Sequence, residues 1–417
     1  MRFLHLADVH LDTPFAGRSA RLRAKLRESS REAFRRAVDT ALQENVHAVL
    51  IAGDLFDGAR LSFETERLLM DQLERLAGAG VPVIYASGNH DPGLERGRAA
   101  SLRWPDNVVL VPDGTPQRID VRTPDGVVVG QVTAAGHARS GESRDLAAGF
   151  PRPNASLPQV ALLHARVVGS RREDAHDPYA PTELETLRRS GYHYWALGHV
   201  HLRQELSRDP AVHYPGNLQG RTPAETGPKG GLLVDIDGSG SVSTAFRSFA
   251  PTRWETLEVG GLETASTADG LLAAVKGAWD AARRDDPAPQ TDWMIRVVLL
   301  GGTPLWRELG REEDRATLEQ ELRASLSALD VEIWADTVHP AIDPVEHMER
   351  ADVLGVVLRV LGATRDGEAP LPDSAMGPWA GWSSDHPEPL SDYVASLLEG
   401  AEGELLSRLL GLRDPRG

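Results

Sequence analysis

The sequence predicts a layered α/β protein with helices covering a sheet, followed by a small α+β domain and C-terminal helices. Apolar runs of strand length alternate with long amphipathic helical patterns in the first hundred residues, which is typical of a sheet covered by helices. Shorter alternating strands with Gly-rich turns then continue to about residue 250. A change in charge balance marks the next unit. We therefore predict domains at 1–250, 251–340 and 341–417.

In the first domain, strands are predicted at 2–6, 48–52, 81–86, 160–163, 192–197, 213–214, 231–236 and 242–248. Helices are predicted at 20–43 and 63–77, where apolar residues recur at helical spacing between Arg and Glu. The first three strands and these two helices alternate along the chain, so the sheet is expected to be at least partly parallel.

The second domain alternates strands and helices in the same way. Strands are predicted at 254–259, 293–300 and 331–338, and helices at 263–284 and 315–329. In the third segment we predict a helix at 344–361, an irregular Pro-rich linker at 366–390 and an amphipathic helix at 392–412. The apolar stripe of that last helix must pack against a partner or against this chain's own small domain.

Composition excludes several classes of protein. Cysteine is absent, which excludes disulfides, Fe–S clusters and a thiol nucleophile. No apolar run approaches the roughly 18 residues of a membrane-spanning helix. The N-terminal residues MRFLHLADVH contain Asp and His where a signal peptide needs an apolar stretch, so we expect a cytoplasmic protein with no membrane association.

The net negative charge of the chain comes entirely from its C-terminal part. Residues 1–250 contain 30 basic and 30 acidic residues, whereas residues 251–417 contain 15 basic and 31 acidic ones. A phosphate backbone needs compensating cations, so the acidic part is not expected to bind nucleic acid. The neutral first domain is not subject to that argument.

Polar residues follow five of the predicted strands. They are Asp8 and His10, Asp54 and Asp57, Asn89 and His90, His164, and His199 and His201. In open α/β sheets ligands bind beyond the carboxyl ends of the strands, so these side chains should meet at one edge. Carboxylate, amide and imidazole donors without thiolate suit Mn²⁺, Fe²⁺ or Zn²⁺. Each motif alone is weak evidence, since Gly-Asp is often a turn. All of them together predict two metal ions, which can clamp the attacking and leaving oxygens of a phosphoryl transfer.

The motif order D-x-H, G-D-x-x-D, G-N-H-D, a lone H and G-H-x-H resembles the calcineurin-like metallophosphoesterase superfamily. The opening FLHLADVHLDTPF, together with YPGNLQGR and the following ETG and KG, resembles its DNA-repair exonuclease branch, the SbcD-type nuclease subunit. The resemblance is close over residues 1–250, where it implies a layered β-sandwich flanked by helices, and loose over 251–340.

The resemblance implies a role for each motif residue. One metal would be held by Asp8, His10, Asp54 and His201, and the second by Asp54, Asn89, His164 and His199, with Asp54 bridging. His90 would contact the scissile phosphate and assist the leaving oxygen. Asp57 stands where another branch has histidine, and we interpret it as orienting a metal ligand. Arg171, Arg172, Arg221 and Lys229 are candidate contacts to the DNA backbone, with ordinary solvated charges as the alternative.

The resemblance predicts a dinuclear metal-dependent DNA exonuclease or endonuclease acting in DNA repair with an SMC-like ATPase. Two ions are expected, Mn²⁺ first, with Fe²⁺, Mg²⁺ or Zn²⁺ as alternatives. The α+β domain would cap the site and touch DNA. A homodimer is a further assembly to consider. Two other functions stay open, namely a phosphoesterase acting on small phosphodiesters or phosphomonoesters, and a non-catalytic scaffold with a vestigial metal site.

Overall fold

The computed structural model describes residues 1–58, 61–93, 102–153, 157–171, 178–284, 291–341, 347–369, 390–398, 401–402 and 405–406. The chain divides into two units. The first comprises Met1–Trp254 and Gln290–Asp292, and the second comprises Glu255–Pro289 and Trp293–Gly417.

The first unit contains twelve of the described strands. They are β1 (Arg2–Leu6), β2 (Ala48–Ala52), β3 (Val83–Ala86), β4 (Val108–Val111), β5 (Gln117–Arg122), β6 (Val128–Ala135), β7 (Gln159–His164), β8 (Tyr194–Gly198), β9 (Gln204–Arg208), β10 (Ala211–Tyr214), β11 (Gly230–Ile236) and β12 (Val242–Ser248). Its helices are α1 (Ala20–Gln43), α2 (Phe63–Gly78), α3 (Leu184–Arg188) and a 3₁₀ turn at Ala147–Gly149.

These strands form two six-stranded sheets. One has the order β12-β11-β1-β2-β3-β4 and the other β5-β6-β7-β8-β10-β9. Strands β1 to β4 are mutually parallel, as are β6, β7, β8 and β10, while the outer strands β5, β9, β11 and β12 pair antiparallel. The predicted α/β sandwich is confirmed.

The central strands are apolar on both faces because each sheet is covered on both sides. Phe3 and Leu50 point into the core between the sheets, where they meet Leu162 of the opposite sheet. Leu4, next to Phe3 in sequence, points the other way and packs with Phe34 of α1. This alternation fixes which strand ends lie together at the edge of the sandwich.

The second unit has its own core. It contains most of β13 (Thr252–Val259), then α4 (Ala268–Ala282), β14 (Asp292–Gly302), α5 (Trp306–Leu309), α6 (Glu312–Ser325), β15 (Asp330–His339), α7 (Val353–Arg365) and α8 (Leu390–Leu398). The three strands form one sheet in the order β13-β14-β15. Its core joins Leu257, Trp279, Trp293 and Ile333, with the two indole rings edge to face at 5.3 Å.

The helix predicted at 344–361 is observed in part, since residues 347–348 are helical and a second helix follows a short break. That second helix begins at Val353, where the Asp352 side chain caps it by accepting a hydrogen bond from Gly355 N at 3.2 Å, and it ends at Arg365. Residues 342–346 lie outside the described residues, as do 370–389 of the predicted linker.

The C-terminal apolar stripe is partly used within the chain. Leu406 is fully buried and packs with Leu354 and Leu358 of α7, while Arg365 pairs with Glu402 at 2.5 Å. Residues 407–417, which include part of the predicted last helix, lie outside the described residues. Among the helices that are described, none is both long and apolar enough to cross a membrane.

Candidate metal centre

The turns that follow the strands have an unusual backbone. Asp8, His10, Asp54 and His199 all have positive φ, at 49°, 49°, 52° and 103°. This conformation costs about 1–3 kcal/mol for a residue other than glycine, and such strain concentrates at functional sites. Here it turns each side chain sharply off its strand toward the same point.

Glycines let these turns approach one another closely. A Cβ at Gly53 would overlap the His164 ring, one at Gly88 would overlap the Asp54 carboxylate, and one at Gly198 would overlap the Ala52 carbonyl. Gly53 also has a φ of +77°. The Gly of the G-D motif is therefore required by its contact with a histidine ring, and the Gly of the G-H motif by its contact with a backbone carbonyl.

One group of donors comprises Asp8, His10 and His201, all buried. His10 Nε2 lies 3.2 Å from His201 Nε2 and 3.7 Å from Asp54 Oδ2. His201 Nε2 lies 3.8 Å from Asp8 Oδ1. Asp8 also accepts hydrogen bonds at 3.1 Å from the backbone N–H of His199, which ties the first motif to the last.

A second group lies beside the first and shares Asp54 with it. Asn89 Oδ1 lies 2.8 Å from His164 Nε2 and 3.2 Å from His199 Nδ1. His164 Nε2 is also 3.5 Å from Asp54 Oδ2. The structure therefore brings together all seven residues that the sequence suggested as ligands.

The hydrogen bonds show that these donors fit a cation. His164 Nδ1 lies 2.9 Å from Ala52 O, which can only accept, so its Nε2 carries a lone pair. That lone pair faces Asn89 Oδ1, which has no proton to give, and the Asp54 carboxyl group. Ligand atoms bound at right angles about 2.1 Å from a metal lie about 3 Å apart, close to the separations at Asn89 Oδ1. Lone pairs that face each other in a buried space are stabilised by a cation.

Burial shifts the pKa of these carboxyl and imidazole groups toward values that favour their neutral forms. It raises the pKa of Asp54 to about 7, with a further contribution from the charge of Asp91. It also raises the pKa of Asp8, helped by Asp54. Burial lowers the pKa of His10 and His164, which keeps both imidazoles neutral, the form that binds metals. Carboxylates that are costly to ionise in a buried site gain most from nearby cations.

His90 lies at the mouth of this group and is oriented by Asp57. Its side chain is 39% exposed, and its Nδ1 donates to Asp57 Oδ1 at 2.9 Å. This hydrogen bond raises the pKa of His90, which favours the protonated imidazolium. Burial alone would raise the pKa of Asp57, but the bond from His90 and the charge of Arg221 lower it.

This contact changes the interpretation of Asp57. We expected it to orient a metal ligand, but His10 Nδ1 lies 3.8 Å away, beyond hydrogen-bonding distance, whereas His90 is directly bonded. Arg221 Nη1 lies 3.4 Å from the other Asp57 oxygen. Asp57 thus orients the residue that we assigned to the phosphate.

The sequence did not predict the structural role of Asp91. Its buried carboxylate accepts from the Tyr85 hydroxyl at 2.5 Å and from the Gly88 N–H at 2.7 Å. It also accepts from the N–H groups of Asp54, Leu55 and Phe56, at 3.2, 2.5 and 3.2 Å. One side chain therefore fixes the G-D turn against the G-N-H-D turn. The closing Asp of G-N-H-D was the available signal.

Four of the candidate metal ligands, Asp54, Asn89, His199 and His201, line a cleft of about 450 Å³. Its lining includes His90, Tyr179, Arg221 and Lys229. Lys229 is only 7% exposed and its Nζ donates to the His201 carbonyl at 3.4 Å, so much of this side chain is used in packing.

Two other candidate DNA contacts lie after β7. Arg171 is exposed, and its backbone N–H donates to Gln204 Oε1 at 3.1 Å. Arg172 lies outside the described residues.

A buried cluster of His, Asp and Asn at the carboxyl ends of a helix-flanked sandwich defines a metal-dependent phosphoesterase. The chain belongs to the calcineurin-like phosphoesterase family, whose model matches residues 1–203, and residues 254–342 match the middle domain of metallophosphoesterase YhaO. It is 34% identical over 328 residues to the Bacillus subtilis protein called uncharacterized metallophosphoesterase YhaO, covering 78% of this chain and 77% of that one.

Two nuclease-related proteins are more distant relatives. The DNA double-strand break repair protein Mre11 of Methanopyrus kandleri is 28% identical over 268 residues, with 59% of this chain and 56% of that protein covered. The SbcD component of the SbcCD nuclease of Bacillus subtilis is 26% identical over 236 residues, with 50% of this chain and 59% of that protein covered. The chain thus spans little more than half the length of these two relatives.

Proposed function

We propose that this metallophosphoesterase is a two-metal DNA nuclease that hydrolyses phosphodiester bonds in DNA repair. The observation that carries the proposal is the combination of a complete ligand set with His90 and Arg221 at the wall of an open cleft. A non-catalytic scaffold with a vestigial site would not need to keep the ligand set together with His90 and Arg221. The likeness to proteins named for break repair and nuclease activity supports DNA as the substrate.

The buried residues would hold two divalent ions. Asp8, His10, Asp54 and His201 would hold one ion, and Asp54, Asn89, His164 and His199 the other. When bound, such ions neutralise charge on the phosphoryl oxygens and stabilise both the attacking and leaving oxygens. We propose Mn²⁺ as the ion, since the donors are carboxylate, amide and imidazole.

His90 would act on the leaving oxygen. Its Nδ1 is fixed by Asp57, so its Nε2 is the atom available to the scissile phosphate. The imidazolium form favoured by Asp57 can both stabilise negative charge and donate a proton to the departing oxygen. Arg221, paired with Asp57 on the same wall, would contact a phosphate oxygen.

A partner would bind the C-terminal helices. Val353, Val356 and Val360 of α7 are 73%, 48% and 52% exposed and recur at helical spacing, while the opposite side of α7 packs on Leu406. Such a stripe fits an apolar groove on another protein. We propose that the partner is an SMC-like ATPase. The alternative partner is a second copy of this chain, which would make a homodimer.

The test compares DNA and a small chromogenic phosphodiester as substrates of the metal-loaded chain. We expect both to be cleaved with Mn²⁺ and neither after EDTA, with Fe²⁺, Mg²⁺ and Zn²⁺ as parallel arms. Cleavage of the chromogenic ester but not of linear or single-stranded DNA would refute the nuclease and favour a small-molecule phosphoesterase. Undiminished hydrolysis by metal-stripped protein would refute the two-metal site.

A further inference from the structure

We propose that Glu225 is a positioning residue that fixes the tautomer of His201 and thereby completes the first metal site. Glu225 lies in the connection between β10 and β11, and its side chain is only 12% exposed. Its Oε1 accepts a hydrogen bond from His201 Nδ1 at 2.7 Å. The inference rests on the metal site of the proposed function and is independent of its DNA substrate.

The second oxygen of the same carboxylate is held by the surrounding loop. Glu225 Oε2 accepts from the backbone N–H of Arg221 at 2.5 Å and of Thr222 at 3.3 Å, and from Asn217 Nδ2 at 2.9 Å. Four donors therefore converge on one carboxylate, three of them on one oxygen. The carboxylate cannot rotate away from His201 without breaking its hydrogen bonds to the loop.

The fixed carboxylate determines which nitrogen of His201 carries the proton. A carboxylate only accepts, and Glu225 Oε1 at 2.7 Å is closer to Nδ1 than the Arg221 Nη2 donor at 3.4 Å. The proton therefore lies on Nδ1 and the lone pair on Nε2. That Nε2 faces the other donors of the site, 3.2 Å from His10 Nε2 and 3.8 Å from Asp8 Oδ1. Residues that orient a metal-binding histidine in this way typically contribute 10–100-fold to metal affinity, on the order of the effect expected here.

Glu225→Gln tests the tautomer directly because glutamine has one acceptor oxygen instead of two. The three loop donors should capture that oxygen, so that the amide NH₂ faces His201 Nδ1. His201 must then accept at Nδ1 and carry its proton on Nε2, where the metal would bind. We expect the full-length variant to bind one Mn²⁺ about 10–100-fold more weakly than the wild type, by metal titration and elemental analysis.

Thermal unfolding separates this role from simple loop support. In EDTA, Glu225→Gln should unfold close to the wild-type midpoint, because the loop donors keep an acceptor, whereas the stabilisation gained on adding Mn²⁺ should shrink. Glu205→Gln, which removes an exposed carboxylate paired with Arg208, is the matched control and should bind Mn²⁺ normally. If Glu225→Gln does not fold, Glu225→Asp keeps a carboxylate near the loop donors but withdraws it from His201, and the same metal loss is expected.

Wild-type affinity for both ions in Glu225→Gln would overturn the proposal, as would an equal loss of stability with and without Mn²⁺. A wild-type chain that binds two Mn²⁺ but leaves DNA intact would refute only the proposed nuclease activity. A wild-type chain that binds no Mn²⁺ would refute both the nuclease activity and the role of Glu225.

Discussion

Replacing His90 by alanine should nearly abolish turnover while leaving both metals bound. The structure separates these two effects, because His90 is partly exposed in the cleft and bonds to Asp57, while the seven candidate ligands are buried or half-buried. Removing a single donor that stabilises charge in the transition state typically costs about 10²–10³ in rate, or roughly 2.7–4 kcal/mol. We expect a loss of that size in kcat for the chromogenic phosphodiester.

The fold should tolerate this substitution. Truncating His90 removes one partly exposed pair, worth about 0.2–1 kcal/mol, and Asp57 keeps Arg221 as a partner at 3.4 Å. Asp54→Ala is the contrasting variant, because Asp54 is 1% exposed and faces ligands of both groups. It should lose activity and metal together.

The assay pairs initial rates with metal content on the same preparations. His47→Ala, which removes a half-buried histidine just before β2, at the end of the strand opposite Asp54, is the matched control and should keep both. If His90→Ala were depleted of metal as strongly as Asp54→Ala, the assignment of His90 to the phosphate would be wrong.

Three further substitutions test other parts of the structure. Gly53→Ala should lower metal content and the unfolding midpoint, because its Cβ overlaps a ligand ring, whereas Gly126→Ala, also at positive φ but with open space around it, should cost about 1 kcal/mol without metal loss. Arg171→Glu should weaken DNA binding in a salt-dependent way by fluorescence anisotropy, and Arg208→Glu on the β9–β10 hairpin should bind like the wild type if the contact is specific. Val356→Glu should abolish co-purification with the ATPase and leave DNA cleavage unchanged; retained co-purification would exclude this face of α7.

The sequence was informative where short motifs followed strongly apolar strands. The helix at Ala20–Gln43 has the predicted bounds, because the apolar period of a helix is a local signal. The candidate ligands Asp8 and His199 lie together at one edge, as the polar motif after each strand predicted. The partners of Asp91 and Glu225 were not predictable in the same way. The Asp91 carboxylate binds backbone groups of a separate turn, and the Glu225 carboxylate joins its own loop to His201 in another loop. No spacing along the chain encodes how these separate loops meet.

The order of the strands also determines when, during translation, the residues of the site can come together. Strand β1 is central in its sheet, yet one of its two neighbours is β11, and His10 contacts His201, 191 residues later. At about 5–20 residues per second, a ribosome needs on the order of 10–40 seconds between making the first and last ligand. Asp8 and His10 are therefore synthesised that long before the last residues of the site. A metal ion at the proposed site would therefore bind late, to a nearly finished first unit, and ribosome-bound chains stopped before β8 should hold no tightly bound ion.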